Sequence, residues 1–340
     1  MKAQPRRRPA NTLAAAALVL LASVSVFAQA PEPAPSTPIA STPELVRLGV
    51  TVTDGKNRFV EDVKREDVRL FEDGVEQTIS YFEKESAPAS YGLVVDNSGS
   101  LRSHMNLVVS SAKFMAAHNQ PGDETFVMRF VDRAHIQLLQ ELTPNAGSVQ
   151  RALDEMYVEG GQTALIDALY LSADYLRKNS KAADGKPGRR ALVLITDGED
   201  RRSSYKQDEL LALLRESDIQ IFCIGLVKAL DGGRGFSSGG SKRNKAEGLL
   251  ERLASETGGR VFYPDDIKEL EDAAEEIVKN LRTQYVVGYT PTAAPSVKPL
   301  RKVEIKLAET KGKEKRRAVH RQYYAVAGRG NSEGKKKGGQ

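Results

Sequence analysis

The turn Asp96-Asn97-Ser98-Gly99-Ser100 sets one carboxylate and two hydroxyls at positions i, i+2 and i+4, a spacing that lets three oxygen side chains converge on one point. A second acidic turn follows much later, Thr196-Asp197-Gly198-Glu199-Asp200. Between them, Gly160-Gly161-Gln162-Thr163 ends in a hydroxyl at the start of a helical stretch. Asp96, Ser98, Ser100, Thr163 and Asp197 together offer two carboxylates and three hydroxyls, with no nitrogen or sulfur among them. Such a donor set selects a hard divalent ion, Mg²⁺ or Mn²⁺, over zinc or copper. Where protein ligands are few, an octahedral ion keeps waters, and so keeps a position for an incoming group. Neutral hydroxyls also leave the ion short of negative charge and avid for an external carboxylate.

The elements that must hold these turns are written on either side of them. Tyr91 to Val95 is a continuous apolar run that ends at Asp96, and Met105, Val108, Val109, Ala112 and Met115 then recur at helical spacing. Phe126 to Phe130 and Ile136 to Leu139 flank a short polar connection, the pattern of a hairpin with an antiparallel edge strand. Further strands are expected at Ala191 to Ile195, Ile219 to Gly225 and Arg260 to Phe262. They alternate with helices at Thr163 to Lys178, Gln207 to Glu216, Lys245 to Thr257 and Asp265 to Asn280. Alternation of this kind predicts an α/β fold with a doubly wound, mostly parallel sheet, and ligands in such sheets bind outside the carboxyl ends of the strands. The flanks have a different period. Leu48, Val50 and Val52 before Asp54-Gly55, then Val68 and Leu70 before Asp73-Gly74, read as strands with hairpin turns. Tyr285, Val287 and Tyr289, then Val303, Ile305 and Leu307, then Gln322 to Val326, repeat that alternation late in the chain. Neither set closes a core alone, so residues 44–86 and 284–326 are expected to pair into one small β-module beside a central domain at 88–282.

Asp96-x-Ser98-x-Ser100, a later Thr163 and a later Asp197, in that order and at predicted strand ends, resemble the metal-ion-dependent adhesion site of von Willebrand factor type A (VWA) domains. The resemblance covers residues 88–282. It implies a Rossmann-like fold in which Ser98, Ser100 and Thr163 bind the metal directly, while Asp96 and Asp197 act directly or through water. The sixth position would take a Glu or Asp from a partner protein. The strand-rich lead-in and Gln284-Tyr285-Val286-Val287-Gly288-Tyr289-Thr290-Pro291 resemble the exported bacterial subgroup called VWFA-related Acidobacterial domain proteins, which supplies architecture and not a ligand.

Each of these features also has a plainer explanation. Asp-Asn-Ser-Gly-Ser alone suits a turn that caps the following helix. His104, one turn beyond Ser100, is either a partner contact or a surface helix position; the other histidines, His118, His135 and His320, show no ligand spacing. Glu199 and Asp200 suit a rim around the ion or a helix cap. Leu230 to Ser241 is glycine-rich but lacks the Gly-Lys-Ser/Thr ending of a phosphate loop, so it reads as a loop over the carboxyl edge, from which Arg234, Phe236, Lys242 and Arg243 can shape partner choice. The expected partner-binding rim is therefore His104, Glu199, Asp200, Arg234 and Phe236. Cys223, the only cysteine, lies in a strand-like run and reads as a buried thiol. The leading function is a non-enzymatic adhesion or assembly module that captures a partner's acidic side chain through the cation. An envelope scaffold stiffened by the metal and anchored by its basic tail stays open. So does a Mg²⁺-dependent phosphohydrolase using Asp96 as nucleophile, although that chemistry wants a second carboxylate two residues on, where Ser98 stands.

The ends of the chain carry its charge. Formal net charge is +5, but residues 1–30 hold +4 and residues 301–340 hold +9, which leaves the body between them at −8. An acidic body argues against nucleic acid as a partner. Arg6 to Arg8, the apolar run Leu13 to Phe27 and Ala28-Gln29-Ala30 have the form of a signal peptide cleaved near Ala30, giving a periplasmic or secreted protein. An uncleaved anchor is the weaker alternative, because the run falls short of the roughly 20 residues a membrane span needs. Pro31 to Pro43 reads as an extended linker. Residues 327–340 read as a disordered basic tail; with Lys311 to Arg321 it suits weak contact with anionic lipid or envelope polymers, and strands with basic surfaces account for part of the same charge.

Overall fold

The computed structural model describes residues 45–180, 188–228, 239–292, 300–308 and 315–325. The expected signal segment, linker and basic tail lie outside the described residues, as do Arg234 and Phe236. In chain order the strands and helices are β1 (Val46–Thr53), β2 (Val68–Glu72), β3 (Val75–Gln77), β4 (Ile79–Ser86), β5 (Ala89–Asp96), α1 (Met105–Ala117), β6 (Glu124–Phe130), β7 (Ile136–Thr143), α2 (Ala146–Asp154) and α3 (Leu165–Asn179). They continue with β8 (Arg189–Thr196), α4 (Gln207–Ser217), β9 (Ile219–Gly225), α5 (Gly239–Thr257), β10 (Val261–Phe262), α6 (Ile267–Arg282), β11 (Thr283–Tyr289), β12 (Leu300–Leu307), β13 (Arg317–His320) and β14 (Tyr323–Ala325). Among the described residues no helix is long and apolar enough to cross a membrane.

Every residue of β5 is buried, which is what a strand enclosed on both faces requires and why its sequence reads as one apolar run. It lies inside a six-stranded sheet of order β10-β9-β8-β5-β6-β7. All pairs in this sheet are parallel except β6 with β7, the antiparallel edge hairpin. Alternate β5 side chains go to opposite cores. Tyr91, Leu93 and Val95 join α1, α2 and α6 through Val108, Met115, Leu153 and Ile277. Val94 faces α3, α4 and α5 through Leu169, Leu214 and Leu250. The result is a doubly wound α/β domain with helices on both faces.

The flanks form two antiparallel four-stranded sheets, β13-β1-β11-β4 and β14-β12-β2-β3. Each mixes strands from both ends of the chain: β1 pairs with β11 (Leu48 opposite Val287), and β2 pairs with β12 (Leu70 opposite Ile305). Leu48, Val50, Leu70, Val287, Tyr289 and Val303 share one core. At its polar centre, Glu72 accepts hydrogen bonds from Tyr289 Oη (2.5 Å), Tyr324 Oη (2.7 Å) and Arg301 Nη1 (2.6 Å). Burial, and then the bond to Glu72, pushes both phenols up, that of Tyr324 to about 12. Both therefore remain donors at any ordinary pH. The carboxylate and the guanidinium are almost fully enclosed, so the cluster holds β2, β11, β12 and β14 in one register.

The module is fastened to the α/β domain through α6, which runs into β11 without a loop. Ala87 N donates to Arg282 O (3.1 Å), and Arg282 Nη1 donates to Asp123 Oδ1 (2.5 Å), which also accepts Ala89 N (2.9 Å). Higher on the same helix, Lys279 pairs with Glu61 (2.8 Å), and Glu276 accepts from Phe59 N (3.2 Å) and Arg260 Nη1 (3.3 Å).

Because removing one member strands a buried charge, Glu72→Ala should lower stability by about 3–5 kcal/mol. Tyr324→Phe, which spares the ion pair, should cost about 1 kcal/mol. The two urea midpoints check the order. A second expectation concerns His320, whose Nε2 accepts Ile305 N (3.1 Å) and whose Nδ1 lies 2.8 Å from Arg321 O. Desolvation lowers its pKa below the usual 6.5, so the folded chain binds this proton less readily than the unfolded one. Stability from this residue is present above pH 6.5 and is lost as pH falls through 6.5 towards the folded value. Titration of the His320 ring by NMR checks the direction; a midpoint at or above 6.5 would contradict it.

Candidate metal centre

Parallel pairing of β5 with β8 sets Val95 opposite Ile195, so the two strands end side by side. That register brings the first and last acidic turns together. Asp96 Oδ1 accepts Ser98 N (2.9 Å), and its Oδ2 accepts the hydroxyl of Thr196 (2.7 Å). Thr196 Oγ1 in turn accepts Gly198 N (3.0 Å) in a turn that Gly198 makes at φ 84°, a backbone conformation suited to glycine. Asp197 Oδ1 accepts Glu199 N (3.0 Å). Ser98 Oγ and Ser100 Oγ are 2.9 Å apart; Ser98 is buried and Ser100 is open to solvent.

Backbone bonds stitch the remaining loops to these two. Thr163 O accepts the N–H groups of Arg201 (2.9 Å) and Arg202 (3.2 Å), which lays the buried Thr163 against the 197–202 loop. Ala164 N donates to Val131 O (3.3 Å) and Asn97 N to Phe130 O (2.8 Å), anchoring both to the end of β6. A Cβ on Gly161 would stand 2.4 Å from Val131 Cγ1, so only glycine lets the loop approach this closely. Thr163 precedes the N-cap of α3 by one residue and is not itself a cap.

Asp96 and Asp197 are both fully buried. Among the described residues every hydrogen bond to their carboxylates comes from a neutral donor, a backbone N–H or a hydroxyl, and Asp197 Oδ2 has no partner. Burial, and then the charge of Asp197, pushes the Asp96 carboxyl up to about 7. Two enclosed carboxylates with no cation beside them are costly, and an enclosed acceptor without a donor adds to that cost. A divalent cation relieves both, and the oxygen-only surroundings fit one. Among the described residues no group of three or more His, Cys, Asp or Glu side chains is arranged for a metal, so hydroxyls have to complete any shell built on this pair.

The sequence pattern of the von Willebrand factor type A domain family matches residues 92–276, more than half of the chain. The chain belongs to that family. No curated protein matches the sequence. Solved structures of similar fold include an aerotolerance-related membrane protein from Bacteroides fragilis NCTC 9343, at 18% identity and TM-score 0.42, with 57% of this chain and 98% of that one covered. BatB from Bacteroides thetaiotaomicron is similar at 17% identity and TM-score 0.43, with 56% and 98% covered. Proximal thread matrix protein 1 from the mussel byssus is similar at 20% identity and TM-score 0.45, with 60% and 49% covered. VWA domains are generally non-enzymatic protein-interaction modules, and they often bind a divalent metal.

Around the centre of this VWA domain, three of the expected rim residues, His104, Asp200 and Glu199, lie among the described residues. His104 is the N-cap residue of α1, partly exposed, with Nδ1 3.0 Å from Ser103 Oγ. Asp200 Oδ1 accepts Ile166 N (3.3 Å) and Ser203 Oγ (2.5 Å), so it ties the first turn of α3 to the loop. Glu199 is bound by Arg201 and lies 3.7 Å from Lys242 Nζ. Two groups were not singled out from the sequence. Asp167, buried in the first turn of α3, accepts Ser204 N and Tyr205 N, each at 2.8 Å, and so fixes the far end of the same loop. An acid between the apolar residues Ile166 and Ala168 is its one signal in the sequence. Arg129 is buried at the end of β6; it donates to Gln137 Oε1 (2.8 Å) and Tyr157 Oη (3.1 Å), and supports the Tyr157 ring from below at 4.5 Å. Tyr157 itself is 58% exposed beside the centre, and its carbonyl accepts Asn97 Nδ2 (2.8 Å). A cleft of about 1210 Å³ between α5, β10 and β13 contains none of the five oxygen donors.

Mg²⁺ should therefore raise the melting temperature of the protein, by an amount that corresponds to about 2.7 kcal/mol at a hundredfold excess over its Kd. In Asp197→Asn that increment should vanish while the metal-free melting temperature stays the same or rises, since one of two buried like charges is gone. Circular dichroism suits the measurement because the chain has no tryptophan. Equal melting curves for the wild type with EDTA, Mg²⁺ and Mn²⁺ would refute the assignment.

Proposed function

We propose that this protein is an exported, non-enzymatic adhesion or assembly module that captures an acidic side chain of a partner protein through a divalent cation, Mg²⁺ or Mn²⁺. Ser98, Ser100 and Thr163 would hold the ion by their hydroxyls, with Asp96 and Asp197 behind them directly or through water. When bound, the ion supplies an electrophilic position for a carboxylate. The observation that carries this reading is the buried pair Asp96 and Asp197, served by neutral donors alone and with Asp197 Oδ2 unpartnered. Such a pair calls for positive charge from outside the chain.

The placement of Asp96 also weighs against phosphoryl transfer. A nucleophile needs an accessible lone pair, whereas both oxygens of Asp96 are engaged and the side chain is wholly enclosed. Ser100, by contrast, is open to solvent, as a ligand beside an exchangeable position has to be. Export rests on the form of residues 1–30, and the domain belongs to a family of interaction modules.

The test is capture from an envelope extract with Mg²⁺ or with EDTA, wild type beside Thr163→Ala. Capture should require Mg²⁺ and disappear in Thr163→Ala, whose circular dichroism spectrum should match the wild type. A scaffold whose cation merely stiffens the fold predicts the opposite: EDTA lowers the melting temperature and leaves capture intact.

A further inference from the structure

Acidic and basic side chains around the centre point in opposite directions. On the loops that surround it, most carboxylates are turned inward or already occupied, Glu155 at the C-cap of α2 being an exposed exception. Asp96 and Asp197 are enclosed, Asp200 is bonded into the first turn of α3, and Glu199 is shared by Arg201 and Lys242. Asp132 is taken by His135 and by Ala134 N, and Glu159 lies 3.4 Å from Arg129.

The cations of the same loops face solvent. Arg102, two residues after Ser100, is exposed and makes no ion pair among the described residues. Arg201 and Arg202 are exposed on the loop whose backbone holds Thr163. Arg133, with its side chain 70% exposed, reaches the same loop by donating to Ser204 Oγ (2.5 Å), and its Nε lies 4.0 Å from Asp167 Oδ2. Lys242 is 56% exposed at the start of α5. A divalent ion would cancel the two enclosed carboxylates and leave the surrounding surface positive, although the body of the chain as a whole is acidic.

We infer that the partner presents its metal-bridging carboxylate inside an acidic cluster of a protein segment, and that Arg102, Arg133, Arg201, Arg202 and Lys242 engage the neighbouring acids. The inference rests on the metal-bridging reading and narrows it from one carboxylate to several. Exposed pairs of this kind are individually weak and are screened by salt, so their contribution is distributed and ionic-strength dependent.

Two probes test it on the full chain by calorimetry in Mg²⁺: a Gly/Ser peptide with one central glutamate, and the same peptide with that glutamate flanked by aspartates. The flanked peptide should bind about tenfold tighter at low salt, which corresponds to about 1.4 kcal/mol, and raising the salt should erode that advantage. Arg102→Gln combined with Lys242→Gln should remove most of the advantage and leave the single-glutamate peptide within about twofold of its wild-type affinity. Arg102 makes no ion pair among the described residues, and Lys242 lies 3.7 Å from a Glu199 that Arg201 also binds, so an unchanged melting temperature confirms that the fold is kept. Equal affinity of the two peptides for the wild type would overturn this inference and leave the metal-bridging reading standing. An undiminished advantage in the double variant would also overturn it. Failure of both peptides to bind, with Mg²⁺ making no difference, would remove the underlying reading instead. Mg²⁺-independent binding of a sulfated polysaccharide, lost in the double variant, without discrimination between the peptides would overturn it in favour of a polyanion surface.

Discussion

Register between two parallel strands governs the rest of this molecule. Val95 lies opposite Ile195, so Asp96 and Thr196 emerge together and Asp197 follows at once, within reach of the Asp96 charge. Sliding β8 by one residue would turn its side chains to the other face and separate the turns. The cores on both faces prevent that slip: Leu93 and Val193 are claimed by one, Val94 and Leu194 by the other. Packing of aliphatic residues thus sets two carboxylates side by side where, among the described residues, neither meets a cation, an arrangement that a bound cation would relieve.

The loops are built around that constraint. The bonds that fix Asp96, Thr163 and Asp197 run mostly through backbone N–H and C=O groups, which position a residue without adding charge. Where a charged side chain is used for positioning, it is Asp167 or Asp200, whose negative ends hold loop and helix N–H groups and not the centre itself. The positive side chains are left at the surface, 70% exposed in the case of Arg133. This division leaves the enclosed carboxylates inside and the exposed cations, only some of them paired, outside, an order that suits a surface for an acidic ligand.

The meeting of Asp96 and Asp197 was legible in the sequence because both stand at the ends of uninterrupted apolar runs, where a parallel sheet has to end, whereas Thr163 follows a glycine turn. Helix boundaries were less so. α2 has only nine residues, three of them buried, and its Asn145 cap is a weak signal on its own. α5 starts at Gly239, six residues before the expected Lys245, in a polar and glycine-rich stretch without helical periodicity. Pairing of the flanks was expected, but their division into two sheets could not be read from alternation, because β11 and β12, which pair with β1 and β2, lie more than two hundred residues away. β13 lies within Lys311 to Arg321, where strands with basic surfaces were expected, but its bounds were not legible because it is short and has charge where alternation would show, although Ala318 and His320 sit opposite Val52 and Val50. Arg129, Asp167 and Tyr157 act through contacts between elements, and no local pattern records such contacts.

The loop-free passage from α6 to β11 joins the two halves of the molecule mechanically. α6 lies on the same sheet face as α1, the helix that begins just after the Ser98–Ser100 turn, and Ile277 and Val108 share one core. Along the same C-terminal half α6 is held by Ala87, Asp123, Glu61 and Phe59, all from outside the helix layer, before the chain enters a strand paired on both edges. A helix fixed in this way is not free to slide along the sheet, since any shift of its last turn has to break ladder bonds of β11 with β1 and β4. Contacts therefore run without a break from the β-module to the Ser98–Ser100 turn: the module holds α6, α6 packs on α1, and the turn leads directly into α1. The Glu72 cluster lies at the far end of that chain of contacts, where it fixes the register of the sheets on which the restraint depends.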